Sequence, residues 1–327
     1  PQSAVDLDLQ EGGTYTFDWS SAQSHPLRFS LTNNGTHGGG SEYTTGVVKD
    51  DSNYLTTITV QSGVASLYYY CQNHSGMGAE IRTNETHGQT NFDGTILSVS
   101  QTSTDSKFSI VTFTGNGTNG STVGHGLGVK PDWLIIKDRS TNSYGHWMVW
   151  HKSFSDTDNN LFLNLTNGVN NAGFPSGTDP TTTTTFVPAT ISYNNVNGNN
   201  YVAYLFSEVE GFSRFGKFSG NNSADGTYVF LGFRPAWVMI KATSQTESWG
   251  IHDNKRNPFN EVSTSLLANV PNAENAVGSA RQQLDFTSNG FKLRNAGDSN
   301  PSINNEATTY IYMAFGDGNT VKFGNSR

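Results

Sequence analysis

An internal repeat constrains this 327-residue chain more than any other feature of its sequence. The run Lys-Pro-Asp-Trp-Leu-Ile-Ile-Lys at 130–137 corresponds to Arg-Pro-Ala-Trp-Val-Met-Ile-Lys at 234–241, 104 residues later. A closing run, Tyr-Val-Ala-Tyr-Leu-Phe at 201–206, corresponds to Tyr-Ile-Tyr-Met-Ala-Phe at 310–315. Each copy is too long for a solenoid repeat and has the size of one sandwich domain. We therefore predict two homologous domains, at residues 107–210 and 211–327.

Composition and patterning predict that the chain is all-β. Its apolar runs are short, alternate with polar residues and are separated by Gly, Asn and Ser turns, as in antiparallel sheets. The most helix-like piece, at 261–268, is short. Within each repeat the spacing of these runs favours a jelly-roll-like β-sandwich.

A separate domain is predicted before the repeats. Alternating runs at 5–20, 54–60 and 68–71 indicate a compact antiparallel sandwich over residues 1–82. Residues 83–106 are polar with few apolar anchors, and we predict a linker containing one strand.

Several classes of function are disfavoured by the sequence. The net charge of −8 argues against a nucleic-acid or anionic-membrane surface, and no apolar run approaches the length of a membrane span. One cysteine excludes an intrachain disulfide. The chain begins at Pro1 without a methionine or a signal-like segment, so we expect a processed protein or a fragment. No nucleophile elbow, phosphate loop or zinc-protease motif is found, and we predict no catalytic residues and no enzyme.

The single cysteine lies in a loop that follows an aromatic, strand-like run. Cys71, His74 and Met77 are spaced three residues apart, so a thiolate, an imidazole and a thioether share one short loop. These are ligands of a type 1 copper site, which also needs a second histidine from elsewhere. His25, beside an alternating run, is the best candidate, and His37 in a glycine-rich loop is the alternative. The competing interpretation is a copper-free sandwich in which Cys71 is a small buried hydrophobe.

The tryptophans are the other candidate binding residues. Trp133 and Trp237 each precede a strongly apolar strand, so we predict that both cover a core. Trp147, Trp150 and Trp249 have more polar surroundings and are candidates for ligand binding, although core positions are favoured for them as well.

The N-terminal region resembles a small cupredoxin domain. The likeness rests on the upstream histidine and on the Cys-x-x-His-x-x-Met loop within residues 5–82. It implies a cupredoxin-like sandwich in which His25, Cys71, His74 and Met77 are the copper ligands.

The repeats resemble tandem β-sandwich modules of tail-fibre and other appendage proteins of marine bacteriophages. The runs at 126–140 and 201–206 carry this likeness, and the N-terminal runs are similar to cupredoxin-like segments of the same kind of virion protein. The resemblance implies a structural, host-attachment role on the virion surface, outside the cell. The implied partners are other virion proteins, host-surface glycans and further copies of the chain. The alternative is a secreted or periplasmic type 1 (blue) copper electron-transfer protein with two accessory sandwich domains.

Overall fold

The computed structural model describes residues 5–64, 66–84, 88–140, 145–171, 173–175, 177, 179–188, 193–274, 283–295 and 303–317. The fold is all-β and of the β-sandwich class, as predicted. Contacts divide the chain into unit 1, residues 1–91 and 99–101, and unit 2, residues 92–98 and 102–327. In the part of the chain that the structure describes, no helix has the length and apolar character needed to cross a membrane.

Unit 1 is a sandwich of two sheets around one apolar core. Its strands are Leu7–Gln10 (β1), Thr14–Asp18 (β2), Leu27–Ser30 (β3), Val47–Asp50 (β4), Leu55–Thr59 (β5), Ser66–Cys71 (β6), Gly78–Asn84 (β7) and Gln89–Asn91 (β8). The strand order is β1-β7-β6-β3 in one sheet and β2-β5-β4 in the other. Only the β1–β7 pair is parallel among the strand pairs described in these two sheets. Alternate residues such as Phe29, Ile58 and Ile81 point inward and are fully buried between the sheets.

The segment predicted as a linker contains more strand than expected. Besides the end of β7 it includes β8 and a further strand, Ser98–Ser103 (β9). The Thr90 hydroxyl accepts a hydrogen bond from the Asp8 amide at 2.7 Å, and Gln89 accepts one from the Tyr15 hydroxyl at 3.2 Å. Gln89 and Thr90, which lie in the predicted linker, therefore form hydrogen bonds with strand residues of unit 1.

Unit 2 contains both sequence repeats. The first has strands Phe108–Thr114 (β10), Val123–Gly124 (β11), Trp133–Asp138 (β12), Trp147–His151 (β13), Leu161–Phe162 (β14), Thr185–Phe186 (β15) and Asn200–Phe206 (β16). The second has strands Ser213–Ser219 (β17), Tyr228–Phe230 (β18), Pro235–Ala242 (β19), Gly250–Asp253 (β20), Leu266–Leu267 (β21), Leu284–Thr287 (β22), Gly290–Leu293 (β23) and Thr309–Gly316 (β24).

The main sheets of the two repeats share one order of five strands. Five strands run in the order β14-β13-β12-β16-β10 in the first repeat and β21-β20-β19-β24-β17 in the second. The strands β12 and β19, which begin at the Pro-x-Trp elements, are central in both, as predicted. Smaller sheets, β11-β15 and β18-β23-β22, complete the repeats.

Equivalent hydrogen bonds support the sequence alignment of the repeats. The Trp147 amide donates to the Asn164 side chain at 3.0 Å, and the Trp249 amide donates to the Asn269 side chain at 2.9 Å. Trp147 and Asn164 therefore correspond to Trp249 and Asn269, and their shared geometry shows that the repeat extends to loop positions.

The main sheets of unit 2 are apolar on both faces. In β12, Leu134 and Ile136 belong to the core of the first repeat, whereas Trp133 and Ile135 belong to a cluster shared with the second repeat. This cluster also contains Val149, Leu161, Phe215, Met239, Trp249, Ile311 and Met313. A strand covered on both faces has a nearly continuous apolar sequence, which explains the runs that follow each Pro-x-Trp element.

The most helix-like piece of the sequence, at 261–268, does not form a helix. Leu266 and Leu267 instead form β21 and pair with Ile251 and Gly250 of β20. Pairing with a neighbouring strand satisfies the backbone there, and this tertiary context overrides a weak local helical preference.

Candidate metal centre

Three of the four predicted copper ligands converge in unit 1. The Cys71 Sγ atom lies 3.7 Å from Nδ1 of His25 and 3.5 Å from Nδ1 of His74. All three ligand atoms lie within 4.8 Å of one another. No other group of three His, Cys, Asp or Glu side chains meets this criterion among the described residues.

Adjacent strand ends create the cluster. Cys71 is the last residue of β6 and is paired with Leu27, the first residue of β3. The Gln72 amide donates to the Pro26 carbonyl at 2.9 Å, which continues the pairing beyond the strands. Because His25 lies two residues before β3, this register brings its ring to the end of β6.

The loop after Cys71 returns His74 to the same place. The Cys71 amide donates to the Met77 carbonyl at 2.9 Å and closes the loop. Gly76 adopts a positive φ of 78°, a conformation that glycine reaches without steric cost. The side chain of Asn73 also donates to the Ser24 carbonyl at 3.0 Å, which ties this loop to the segment that carries His25.

Asn34 fixes the far side of the loop. Its side-chain oxygen accepts a hydrogen bond from the Gly76 amide at 2.8 Å, and its Nδ2 donates to the Ser75 hydroxyl at 2.9 Å. Asn34 itself has a left-handed backbone, with φ of 60°. Sequence reasoning missed this residue, because no local pattern shows that a side chain 41 positions before Ser75 reaches that loop.

The cluster lies at the surface of unit 1. The Cys71 side chain is buried, with 5% exposure, His25 is half-buried and His74 is exposed. The thiol is therefore covered by protein, whereas one of the two imidazoles reaches solvent.

The alternative upstream ligand, His37, contacts a different atom. Its Nε2 lies 3.1 Å from the Cys71 carbonyl oxygen, and its ring meets the Tyr70 ring edge-on. The structure therefore places His25, and not His37, beside the thiol.

Met77 lies on the same loop as Cys71 and His74, but its side chain is 44% exposed. Its backbone carbonyl, described above, is the group that contacts Cys71. The assignment of its thioether as an axial ligand stays a prediction.

The two sulfur–nitrogen separations suit one small metal ion. Metal–sulfur bonds of about 2.3 Å and metal–nitrogen bonds of about 2.0 Å, at angles of roughly 110–120°, separate sulfur from nitrogen by about 3.5–3.8 Å. The observed separations of 3.5 and 3.7 Å match this range. A thiolate with two imidazoles is a soft to borderline donor set that suits copper and also zinc.

Comparison with protein families places most of this chain in one of them. Residues 72–318 match a family described as a domain of unknown function (DUF7483). The chain belongs to this family. A search of the curated proteins finds no match. The matched part of the chain includes His74 and Met77 and begins one residue after Cys71.

Two of the candidate ligand-binding tryptophans have no accessible face. Trp249 is fully buried between the repeats, and its indole nitrogen donates to the Phe162 carbonyl at 2.9 Å. Trp150 is 4% exposed and belongs to the core of the first repeat. Trp147 is half-buried, with its ring stacked over that of Tyr204. The residues beside these tryptophans in the sequence are polar, but the rings of Trp150 and Trp249 are themselves buried. The structure therefore favours a core position for these two residues.

Proposed function

We propose that this chain is a non-enzymatic, tail-fibre-like structural protein of a virion appendage, and that its unit 1 holds one copper ion. The convergence of Cys71, His25 and His74 at separations that suit a single ion carries the copper part of the proposal. The duplicated, closely packed sandwich of unit 2 and the resemblance of its sequence runs to phage appendage modules support the structural part.

The four ligands would differ in donor type and in binding strength. Cys71 would bind as a thiolate, and His25 and His74 would bind as neutral imidazoles through the Nδ1 atoms that already face the sulfur. Met77 would supply a weak thioether ligand. Copper supplies a cross-link between two strand ends and a one-electron redox centre when it is bound.

In a virion the copper cross-link would stabilise the folded state of unit 1. A ligand that binds only the folded state stabilises it by RT ln(1 + [L]/Kd), which amounts to about 4 kcal/mol at a thousandfold excess over Kd. The link would join the loop before β3 to the loop after β6, which are otherwise held there by a few exposed hydrogen bonds. Such a staple suits a small unit that works outside a cell.

Unit 2 would supply reach and rigidity. Backbone hydrogen bonds cross between its repeats, from the Glu247 amide to the Thr166 carbonyl at 2.9 Å and from the Val169 amide to the Thr243 carbonyl at 2.8 Å. Together with the shared aromatic cluster, these bonds favour one stiff body rather than two independent modules. Its partners would be other virion proteins, further copies of the chain and host-surface glycans.

A secreted or periplasmic electron carrier is the second candidate. The exposed edge of His74 favours it, since an electron would need a ligand close to the surface. However, the neighbouring residues Asn73, Ser75 and Gly76 are exposed and polar, whereas transient redox partners usually dock on an apolar rim. The structural role also accounts for unit 2, whereas the electron-transfer role gives unit 2 only an accessory part.

Two experiments test this proposal. An antibody against the chain should label purified virions encoded by the same genome, and labelling of soluble protein alone would contradict the appendage role. For the staple, Cys71→Ser should lower the melting temperature of the copper-loaded chain well beyond that of the metal-free chain. An equal loss in both forms would contradict it.

A further inference from the structure

Unit 2 contains a cavity of about 290 Å³ that neither the copper site nor the tryptophans account for. Residues of the loop after β13 and Val169, which follows β14, form one side in the first repeat. Residues of β17 and β24 and of the segment that follows β19 form the other side in the second repeat. Because both repeats contribute, the cavity exists only in the packed pair. Its volume is near the lower end of the range of roughly 300–1,000 Å³ that is usual for small-molecule sites.

The walls of the cavity carry many hydroxyl groups. Ser153 and Ser155 line it from the first repeat, and Thr243 and Ser244 line it from the second. Hydroxyl groups donate and accept hydrogen bonds, so such a wall suits a ligand that is itself rich in hydroxyls. Phe154 adds an aromatic ring to the lining, which gives the apolar face of a sugar ring a surface to pack on.

Asn159 adds an acceptor to the same wall. This residue is 5% exposed, and its side-chain oxygen has no hydrogen-bond partner within the described part of the chain. A buried acceptor without a partner is costly, and a hydroxyl donor on a ligand would satisfy it.

Lys217 gives the cavity a positive charge. It is the one charged residue in the described lining, and it forms no ion pair with a carboxylate of the described residues. Nearby Lys152, in contrast, is paired with Asp132 at 3.2 Å and with Glu208 at 2.8 Å. Lys217 is exposed, so it places a positive charge beside the hydroxyl groups of the lining without a carboxylate partner among the described residues.

We propose that this cavity binds one sugar residue that carries a negative charge. The hydroxyl groups and Asn159 would bind the ring hydroxyls, Phe154 would pack on the ring, and Lys217 would pair with a carboxylate or phosphate. This inference extends the surface-recognition part of the proposed function and rests on it, but it does not depend on copper.

The test measures binding to the full chain. We would titrate D-glucuronate, D-glucose 6-phosphate and D-glucose, with ligand-observed NMR as the readout. At least one of the anionic sugars should bind more tightly than glucose, and comparing the two tells whether a carboxylate or a phosphate is preferred. Lys217→Gln should weaken that binding about tenfold or more, since a charge-assisted hydrogen bond is lost.

Two further variants guard against misinterpretation. Lys255→Gln removes another exposed lysine of unit 2 and should leave binding unchanged. Ser244→Trp fills the cavity without altering its charge, and it should abolish binding while thermal unfolding shows a folded chain. The inference is overturned if neither anionic sugar binds, or if Lys217→Gln binds as tightly as the wild-type chain. Virion labelling without sugar binding would reject the cavity alone, and sugar binding without virion labelling would reject the appendage role alone.

Discussion

Unit 1 and unit 2 are both built from short antiparallel strands, yet they use their polar side chains differently. In unit 2, loop asparagines are bound to backbone groups at equivalent positions of both repeats, as Asn164 and Asn269 are to the tryptophan amides. In unit 1, the side chains at the ends of β3 and β6 face one another as His25, Cys71 and His74. The first arrangement satisfies the backbone, whereas the second brings together three side-chain atoms of the types that bind metals. This difference places the proposed metal site in unit 1, whereas these asparagines of unit 2 support its backbone.

The largest effect should come from breaking the packing between the repeats. Trp249→Ala removes a fully buried indole and its hydrogen bond to the Phe162 carbonyl, which should cost about 3–5 kcal/mol of unfolding free energy. Trp147, at the equivalent position, is only half-buried, so Trp147→Ala should cost less than half as much. Denaturant unfolding measures both variants. Equal losses would show that the repeats do not pack as described.

An effect of similar size concerns the acid sensitivity of unit 2. Burial, with the charge of Arg256 next in importance, lowers the pKa of His252 to about 3. The unfolded chain takes up this proton below pH ~6.5, while the folded chain does not until about pH 3. Through this residue, the free energy of unfolding should therefore fall by up to about 1.4 kcal/mol for each unit by which the pH is lowered between these limits.

Replacing the residue isolates its share of the pH dependence. His252→Gln should flatten the stability curve between pH 6.5 and pH 4, relative to the wild-type chain. The comparison is needed because His151, whose pKa burial and nearby lysines also lower to about 3, contributes a slope of the same sign. Parallel curves for the wild type and the variant would refute the prediction.

The third effect belongs to unit 1 and is smaller still. Asn34→Gly keeps a residue that tolerates φ of 60° but removes both hydrogen bonds to the ligand loop. Copper affinity should fall about tenfold or more, since groups that orient metal ligands typically contribute this much. Asn222→Gly, at a position of unit 2 with φ of 51°, is the matched control. If both variants bind copper as the wild type does, Asn34 does not position the loop.

Much of this architecture could be predicted from the sequence because its determinants are local or repeated. Alternating runs indicated the strands, and the matching Pro-x-Trp elements indicated equivalent central strands. The convergence of His25, Cys71 and His74 followed from ligand types in a suitable order. Each of these features can be predicted from the residue pattern of one segment or from the comparison of two segments.

What could not be predicted depends on surfaces that meet only after folding. Trp147 and Trp249 are equivalent in sequence, but only Trp249 is fully buried against the other repeat. The hydrogen bonds of Asn34 and the shared cavity around Lys217 likewise join residues that are far apart in the chain. The strand at Leu266–Leu267, inside the most helix-like piece of the sequence, also depends on such a contact, since β21 pairs with β20.

The most direct test of the metal centre is a copper titration of the full chain followed by metal analysis and visible absorption. The wild-type chain should retain one equivalent of Cu(II) after dialysis and show an intense thiolate-to-copper absorption band. Cys71→Ser should lose the band, whereas His37→Gln should keep it because His37 contacts only a backbone carbonyl at the site. A wild-type chain that retains no copper, or a Cys71→Ser chain that retains it with the same spectrum, would contradict the assignment.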